Sequence, residues 1–290
     1  MPKLMNRRQA LATTGLSASG FLLKKSRSFT SIGTPPPFRH SVCRWCFNDI
    51  PLETLVREVQ AIGISSIELL TPAEWPTVYA AGLQCAVATN SFISLTEGFN
   101  NPKNHQRLQR YYPELMRQAA DQGIPQVICF SGNRRPGLTD EQGLDFCAQG
   151  LAPLVRLAEE LDIMLIMELL NSKVDHPGHQ CDRTSWGVKL VDKIGSPHFK
   201  LLYDIYHMQV MEGNIIATIR QYANYFAHYH TAGVPGRNEI DDTQELNYSA
   251  IARAIAETGF RGYLGQEFIP KKEKNGFLKL REAIAICTPK

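Results

Sequence analysis

Residues 162–171 read DIMLIMELLN. Five apolar residues, Ile163 to Met167, run straight into a carboxylate, Glu168, with Leu169 and Leu170 behind it. An apolar run of this kind, without alternation, is what a strand covered on both faces shows. A carboxylate at the end of it is costly unless something pairs with it. The pattern recurs in FKLLYDIYH (199–207), where Asp204 follows Leu201, Leu202 and Tyr203, and in GYLGQEF (262–268), which carries Glu267. Three carboxylates placed this way suggest one shared cation.

Along the whole chain, eight strand-like runs alternate with helix-like ones. They are HSVCRWCF (40–47), SIELL (66–70), CAVATN (85–90), QVICFSG (126–132), IMLIMELL (163–170), FKLLYDIYH (199–207), FAHYHTAG (226–233) and YLGQEFI (263–269). Between the first two, Leu52, Leu55, Val56, Val59 and Ile62 fall at helical spacing, with Asp49 as the expected cap and Gly63 as the stop. Thr139 and Gln142 form a capping-box pattern ahead of Leu154, Leu157 and Leu161. Ile251, Ala254 and Ile255 repeat the helical spacing before Gly259. Helix, glycine, apolar residue and strand follow one another at Gly63-Ile64, Gly82-Leu83, Gly123-Ile124 and Gly259-Phe260. Eight such units predict an α/β fold of the (β/α)₈ TIM-barrel type rather than a six-strand open sheet. The G-x-G-x-x-G turn of a dinucleotide-binding fold is absent after the first strand.

The chain has 290 residues, 43% of them hydrophobic and 20% charged, which suits one large α/β domain. Its formal charge of +3 is unevenly placed. Lys3, Arg7, Arg8, Lys24, Lys25 and Arg27 all lie in residues 1–37, with no acid among them. Subtracting these six leaves −3 for residues 38–290, so the body carries no bulk signal for binding nucleic acid. Arg7-Arg8 precede a modest apolar stretch with Gly and Thr, which is similar to a twin-arginine export signal. The expectation is therefore a tail and linker over 1–37, ending in TPPPF (34–38), and a single catalytic barrel over 38–290. It follows that the twin-arginine export machinery is an expected partner and the periplasm an expected location, with the cytoplasm as the alternative. The stretch is too short and too polar for a stable membrane span. The seven cysteines have no framework spacing, so no disulfide scaffold is expected. Cys43 and Cys46 form C-x-x-C inside a strand-like run, where alternation favours packing over redox chemistry. A homo-oligomer is compatible with this composition, which does not specify one.

Active sites of such barrels lie at the C-terminal ends of the strands. Glu168, Asp204, His230 and Glu267 fall there on strands five to eight of the pattern. Three carboxylates and an imidazole suit a divalent metal ion, Mg²⁺ or Mn²⁺ first, with Co²⁺ and Zn²⁺ compatible. His207, three residues after Asp204, can reach a substrate oxygen from the same rim. Arg237 can hold a substrate carboxylate in a bidentate fork, and Asn171 can contact substrate. His228 shares a strand face with His230 and stands either at the metal or just behind it. His176 and His179, in DHPGHQ, sit on a Pro-Gly loop that reads as a lid rather than a second metal site.

Four segments carry a resemblance over residues 40–290: MELLNSKVDHPGH (167–179), LLYDIYHMQ (201–209), HYHTAGVPGRNEID (228–241) with ELNY (245–248), and GYLGQEFIP (262–270). In these the chain resembles the xylose-isomerase-like barrels and, among them, the hydroxypyruvate isomerase group. The resemblance implies a sugar-type isomerase in which Glu168 and Glu267 are both metal ligands and the acid/base pair, while Asp204 and residue 230 complete the coordination. His at 230 departs from part of that group, which has Gln there, and agrees with wider epimerase relatives. The implied reaction is a metal-dependent aldose–ketose isomerisation of a small hydroxy-oxo acid, hydroxypyruvate to tartronate semialdehyde or a related 2-oxo-tetronate, through an enediolate. A ketose 3-epimerase on the same barrel is the alternative, for which Arg237 would be unnecessary. An endonuclease-IV-like metallohydrolase would need more metal ligands and a basic groove.

Overall fold

The computed structural model describes residues 37–272 and 275–289. Residues 1–36, which hold the expected export signal and most of the expected linker, lie outside the described residues. In chain order the elements are β1 (Arg39–Cys43), α1 (Leu52–Ile62), β2 (Ser66–Glu68), α2 (Trp75–Ala80), α3 (Pro102–Asp121), β3 (Gln126–Cys129), α4 (Asp140–Leu161), β4 (Met164–Glu168) and α5 (Thr184–Ile194). There follow β5 (Phe199–Asp204), α6 (Ile205–Met211), α7 (Ile215–Tyr222), β6 (Phe226–Thr231), α8 (Tyr248–Glu257), β7 (Tyr263–Gln266) and α9 (Gly276–Cys287).

The seven strands form one parallel sheet in the order β2-β1-β7-β6-β5-β4-β3. The run expected at 85–90 is not a regular strand. It makes single bridges, Ser66 to Gln84 and Leu70 to Ala88 on one side and Ala88 to Val127 on the other. Those bridges span the gap between β2 and β3 and complete the barrel. The physical reason is visible at Leu69, whose φ of +57° lies outside the β region, so the regular strand β2 ends at Glu68 and only single bridges follow.

Alternation along each strand separates two layers. Leu165, Met167, Leu201, Tyr203 and Tyr229 pack outward into the large core shared with the helices. Ile128, Phe130, Ile166, Leu202 and Tyr263 form a smaller inner cluster. Glu168, Asp204, His228 and His230 have the inner parity, so the periodicity that buries Ile166 and Leu202 also turns these polar groups into the barrel. Register aligns them: Asp204 lies opposite His230, and His230 opposite Gly265.

The helices follow their caps. Thr139 and Gln142 make both hydrogen bonds of the capping box at α4. α1 buries Leu52, Leu55, Val56 and Val59 and stops at Gly63, which is left-handed at φ +87°. Its N-cap is Pro51 and not Asp49: proline presets φ for the turn into the helix, which places the start two residues later. Cys43 ends β1, and Cys46 lies in a 3-10 turn (44–47) rather than in a strand. All seven cysteines are free thiols. No helix among the described residues is long and apolar enough to cross a membrane.

Candidate active site

Glu168 closes β4, Asp204 closes β5, His230 is the penultimate residue of β6, and Glu267 directly follows β7. All four side chains are buried. One ligand atom from each lies within 4.8 Å of those of the other three. His230 Nδ1 stands 3.0 Å from Glu168 Oε1 and 3.0 Å from Glu267 Oε2. Asp204 is divided between two tasks. Its Oδ1 accepts the His207 backbone N–H at 2.9 Å, capping α6, while Oδ2 has no hydrogen-bond partner. Arg237 Nη2 donates to Glu267 Oε2 at 2.5 Å and lies 3.5 Å from Asp204 Oδ2. The Trp45 indole N–H donates to Glu267 Oε1 at 2.8 Å.

The donor set fits a divalent cation. Three carboxylates share a buried space with two basic groups, and the protein's own charges do not satisfy all three. Burial pushes Asp204 well up, aided by Glu267 and Glu168 and only partly opposed by Arg237. Burial and the Glu267 charge likewise raise Glu168. For Glu267 burial works upward too, but His230 and Arg237 overcome it and hold the carboxyl well below its ordinary range. Two strained carboxyls, one unpartnered oxygen and an oxygen-rich set with one imidazole nitrogen are what a hard or borderline dication would relieve.

The centre opens onto a cavity of about 360 Å³. Glu168, Glu267, Arg237 and His176 make its polar side; Leu69, Ile93, Leu95, Ile128, Phe130 and Leu170 make an apolar wall. Arg237 sits at φ +58° in the loop after β6, with its guanidinium 5.0 Å from the Trp45 ring centre and 5.5 Å from that of Tyr206. Its Nε–H is buried without a hydrogen-bond partner.

Asn171 and His207 are brought together beside the centre, with His207 Nε2 3.7 Å from Asp204 Oδ2 and without a hydrogen-bond partner. Both are fully buried. Asn171 Oδ1 accepts the backbone N–H groups of Val174 and Asp175, and its Nδ2 meets Asp175 Oδ2 and His207 Nδ1. Tyr206 donates to the same Asp175 oxygen at 2.8 Å. These residues fold the loop that carries His176 to the cavity. Burial, reinforced by Arg237, keeps His207 neutral, with its pKa well below the ordinary value. His179 is buried against Ser131, its Nε2 3.2 Å from the hydroxyl, and does not approach the four-residue centre. His228 lies behind the centre, its Nε2 3.0 Å from Glu68 Oε1.

Three residues at this site have no counterpart among the sequence expectations: Trp45, Glu68 and Asp175. Glu68 had the same signal as the others, a carboxylate inside the apolar run SIELL. Trp45 lies on a turn whose direction no periodicity predicts.

A family model described as xylose isomerase-like TIM barrel matches residues 56–287. The hydroxypyruvate isomerase of Escherichia coli (strain K12) is 32% identical over 156 residues, which span 54% of this chain and 60% of that protein. The 2-oxo-tetronate isomerase of Pectobacterium atrosepticum is 24% identical over 78% of this chain and 89% of its own length. Among solved structures, an AP endonuclease of family 2 from Brucella melitensis superposes with a TM-score of 0.73 at 20% identity, covering 86% of this chain and 97% of that one, a likeness of fold.

Proposed function

This chain belongs to the xylose isomerase-like TIM barrel family, and on that premise we propose that it is an isomerase of a small hydroxy-oxo acid. The substrate is hydroxypyruvate, giving tartronate semialdehyde, or a 2-oxo-tetronate undergoing the same 1,2 shift. The observation that carries this reading is the convergence of Glu168, Asp204, His230 and Glu267 beside a cavity that Arg237 also lines.

Glu168, Asp204, His230 and Glu267 would hold a divalent cation. Such an ion, when bound, supplies Lewis-acid stabilisation of the negative charge that develops on the substrate oxygens. Arg237 binds the substrate carboxylate and thereby orients the carbon chain along the cavity. Glu267 is held ionised by His230 and Arg237 and serves as the base; Glu168, whose proton a bound cation would displace, serves the substrate oxygens. Glu267 takes the proton from the hydroxymethyl carbon, leaving an enediolate. Glu168 exchanges the proton between the two oxygens, and the carbon-bound proton is returned to the former carbonyl carbon. The apolar wall excludes water from the carbons while this happens.

The test is NMR of the metal-supplemented protein with hydroxypyruvate in D₂O. Formation of tartronate semialdehyde, with deuterium at the carbon next to the aldehyde, supports the reading. No turnover of either acid, together with epimerisation of a neutral ketose, would replace it. Export through the twin-arginine route is proposed on Arg7-Arg8. It is tested by changing both to Lys in the native host, where unaltered fractionation would reject it.

A further inference from the structure

Beneath the four-residue centre lies a second layer of polar groups to which the chemistry above gives no task. Glu68, the last residue of β2, is wholly buried, as are Cys43, His228 and His230 around it. Glu68 Oε1 stands 2.7 Å from His230 Nε2, 3.0 Å from His228 Nε2 and 3.4 Å from Cys43 Sγ. Its Oε2 has no hydrogen-bond partner. A carboxylate so placed is expensive to keep, and the fold makes room for it. A Cβ added at Gly265 would fall 2.4 Å from Glu68 Oε1 and 2.8 Å from His230 Cδ2. The strand beside the site therefore omits a side chain where Glu68 and His230 meet.

We propose that Glu68 is a positioning residue that presents His230 to a metal ion through Nδ1. This rests on the metal reading of the site. The imidazole has two nitrogens, and the one that ligates must be bare. Glu68 is acceptor-only when ionised, so the nitrogen facing it carries the proton. That nitrogen is Nε2, and the lone pair is left on Nδ1, which already faces Glu168 and Glu267 at 3.0 Å. A carboxylate behind a ligating histidine also makes the imidazole a stronger donor and fixes its ring plane. His228 steadies the arrangement by donating to the same Glu68 oxygen from the other side.

The experiment compares wild type, Glu68→Met and Glu68→Gln, with Mn²⁺ affinity read from the loss of the free-ion EPR signal and folding read from circular dichroism. Methionine removes the acceptor. Glutamine keeps an acceptor oxygen but loses the charge. The expected result is a 10–100-fold weaker Mn²⁺ affinity in folded Glu68→Met, with partial recovery in Glu68→Gln. A residue that only fills space would lower thermal stability and leave the affinity of the folded protein alone, so equal affinities in wild type and Glu68→Met overturn the proposal. Should the Met variant not fold, the wild type decides by itself. ¹⁵N-histidine NMR of the Mg²⁺-loaded protein should show His230 protonated at Nε2 and bare at Nδ1, and the opposite tautomer overturns the proposal. If the wild type binds neither Mn²⁺ nor Mg²⁺, the metal reading fails and this inference falls with it. Binding by all three proteins alike defeats only the role given to Glu68.

Discussion

The two halves of the barrel mouth differ in kind. β4 to β7 end in Glu168, Asp204, His230 and Glu267, whereas β2, the 84–88 segment and β3 lead to Leu69, Thr89, Ile128 and Phe130. Toward the cavity one half presents charge and the other is largely apolar, while the one buried carboxylate of β2, Glu68, reaches beneath it to His230. A carboxylate can take a proton from carbon efficiently only where solvent does not compete with it, and buried carboxylates survive only where cations answer them. The charged half therefore needs the apolar half for its chemistry. Substitutions on the two sides should fail differently.

The largest effect is expected at the glutamates. Glu168→Gln or Glu267→Gln keeps the shape and one coordinating oxygen but removes the charge and the base. Turnover should fall by about 10²–10⁴, and the double substitution should cost far less than the product of the two singles. Asp204→Asn should act mainly through metal occupancy, since Asp204 Oδ2 is the oxygen without a partner, so excess Mn²⁺ should restore much of its rate. Turnover against metal concentration separates the cases. Full recovery of both Gln variants by metal would remove the glutamates from proton transfer.

Arg237 stands on the boundary between the halves, and its substitution should be the next largest. Arg237→Ala removes a charge-assisted contact to an acid substrate, worth about 1.5–3 kcal/mol, or roughly ten- to a hundredfold in KM. It also removes the cation beside Glu267 and Asp204, so kcat should fall for any substrate. The signature is a KM rise for hydroxypyruvate without a matching rise for a neutral ketose. Equal KM changes for both would favour the epimerase reading.

How much of this contrast was legible in the sequence follows from its physics. The charged half announced itself, because an acid ending an apolar run is costly wherever it occurs, and three such acids with a histidine on four consecutive strands point to one rim. The barrel was legible for a related reason, since continuous apolar runs alternating with amphipathic ones allow few layer arrangements. The apolar wall was not legible, because Ile128 and Phe130 look the same in sequence whether they fill a core or line a cavity. Glu68 needed the register that places it under His230. That Asn171 hydrogen-bonds both His207 and Asp175, to which Tyr206 also donates, needed the closed loop to be seen. The reduced third strand depends on one backbone torsion at Leu69, which residue type does not foretell.

A smaller effect, on equilibrium rather than rate, tests the charge imbalance itself. Burial raises Asp204 and Glu168, so in the metal-free protein these groups hold protons to higher pH than ordinary carboxyls. A cation must displace them. Metal binding should release roughly one to two protons, and affinity should rise with pH until both groups ionise unaided. Titration calorimetry in two buffers of different ionisation enthalpy measures the release. Binding without proton release would mean that the centre carries less surplus negative charge than its geometry implies.

The smallest effect on rate is expected on the apolar side, and it concerns fidelity more than speed. Leu95 lines the cavity and is 39% exposed, and Ile93 beside it is half-buried and packs against both apolar clusters. Ile93→Ser with Leu95→Ser should lower stability by about 0.5–3 kcal/mol and alter kcat of the folded protein by no more than about threefold, well under 1.4 kcal/mol of barrier. What should change is the fate of the transferred hydrogen. With hydroxypyruvate deuterated at its hydroxymethyl carbon, a base shielded from water returns part of the deuterium to the neighbouring carbon, and a base open to water loses it to solvent. The double variant should therefore give product with clearly less retained deuterium than wild type at nearly the same turnover, read by mass spectrometry at early conversion. Unchanged retention would mean that the wall only shapes the cavity, and the water-excluding half of the comparison would have to be sought in closure of the 171–179 loop over the site.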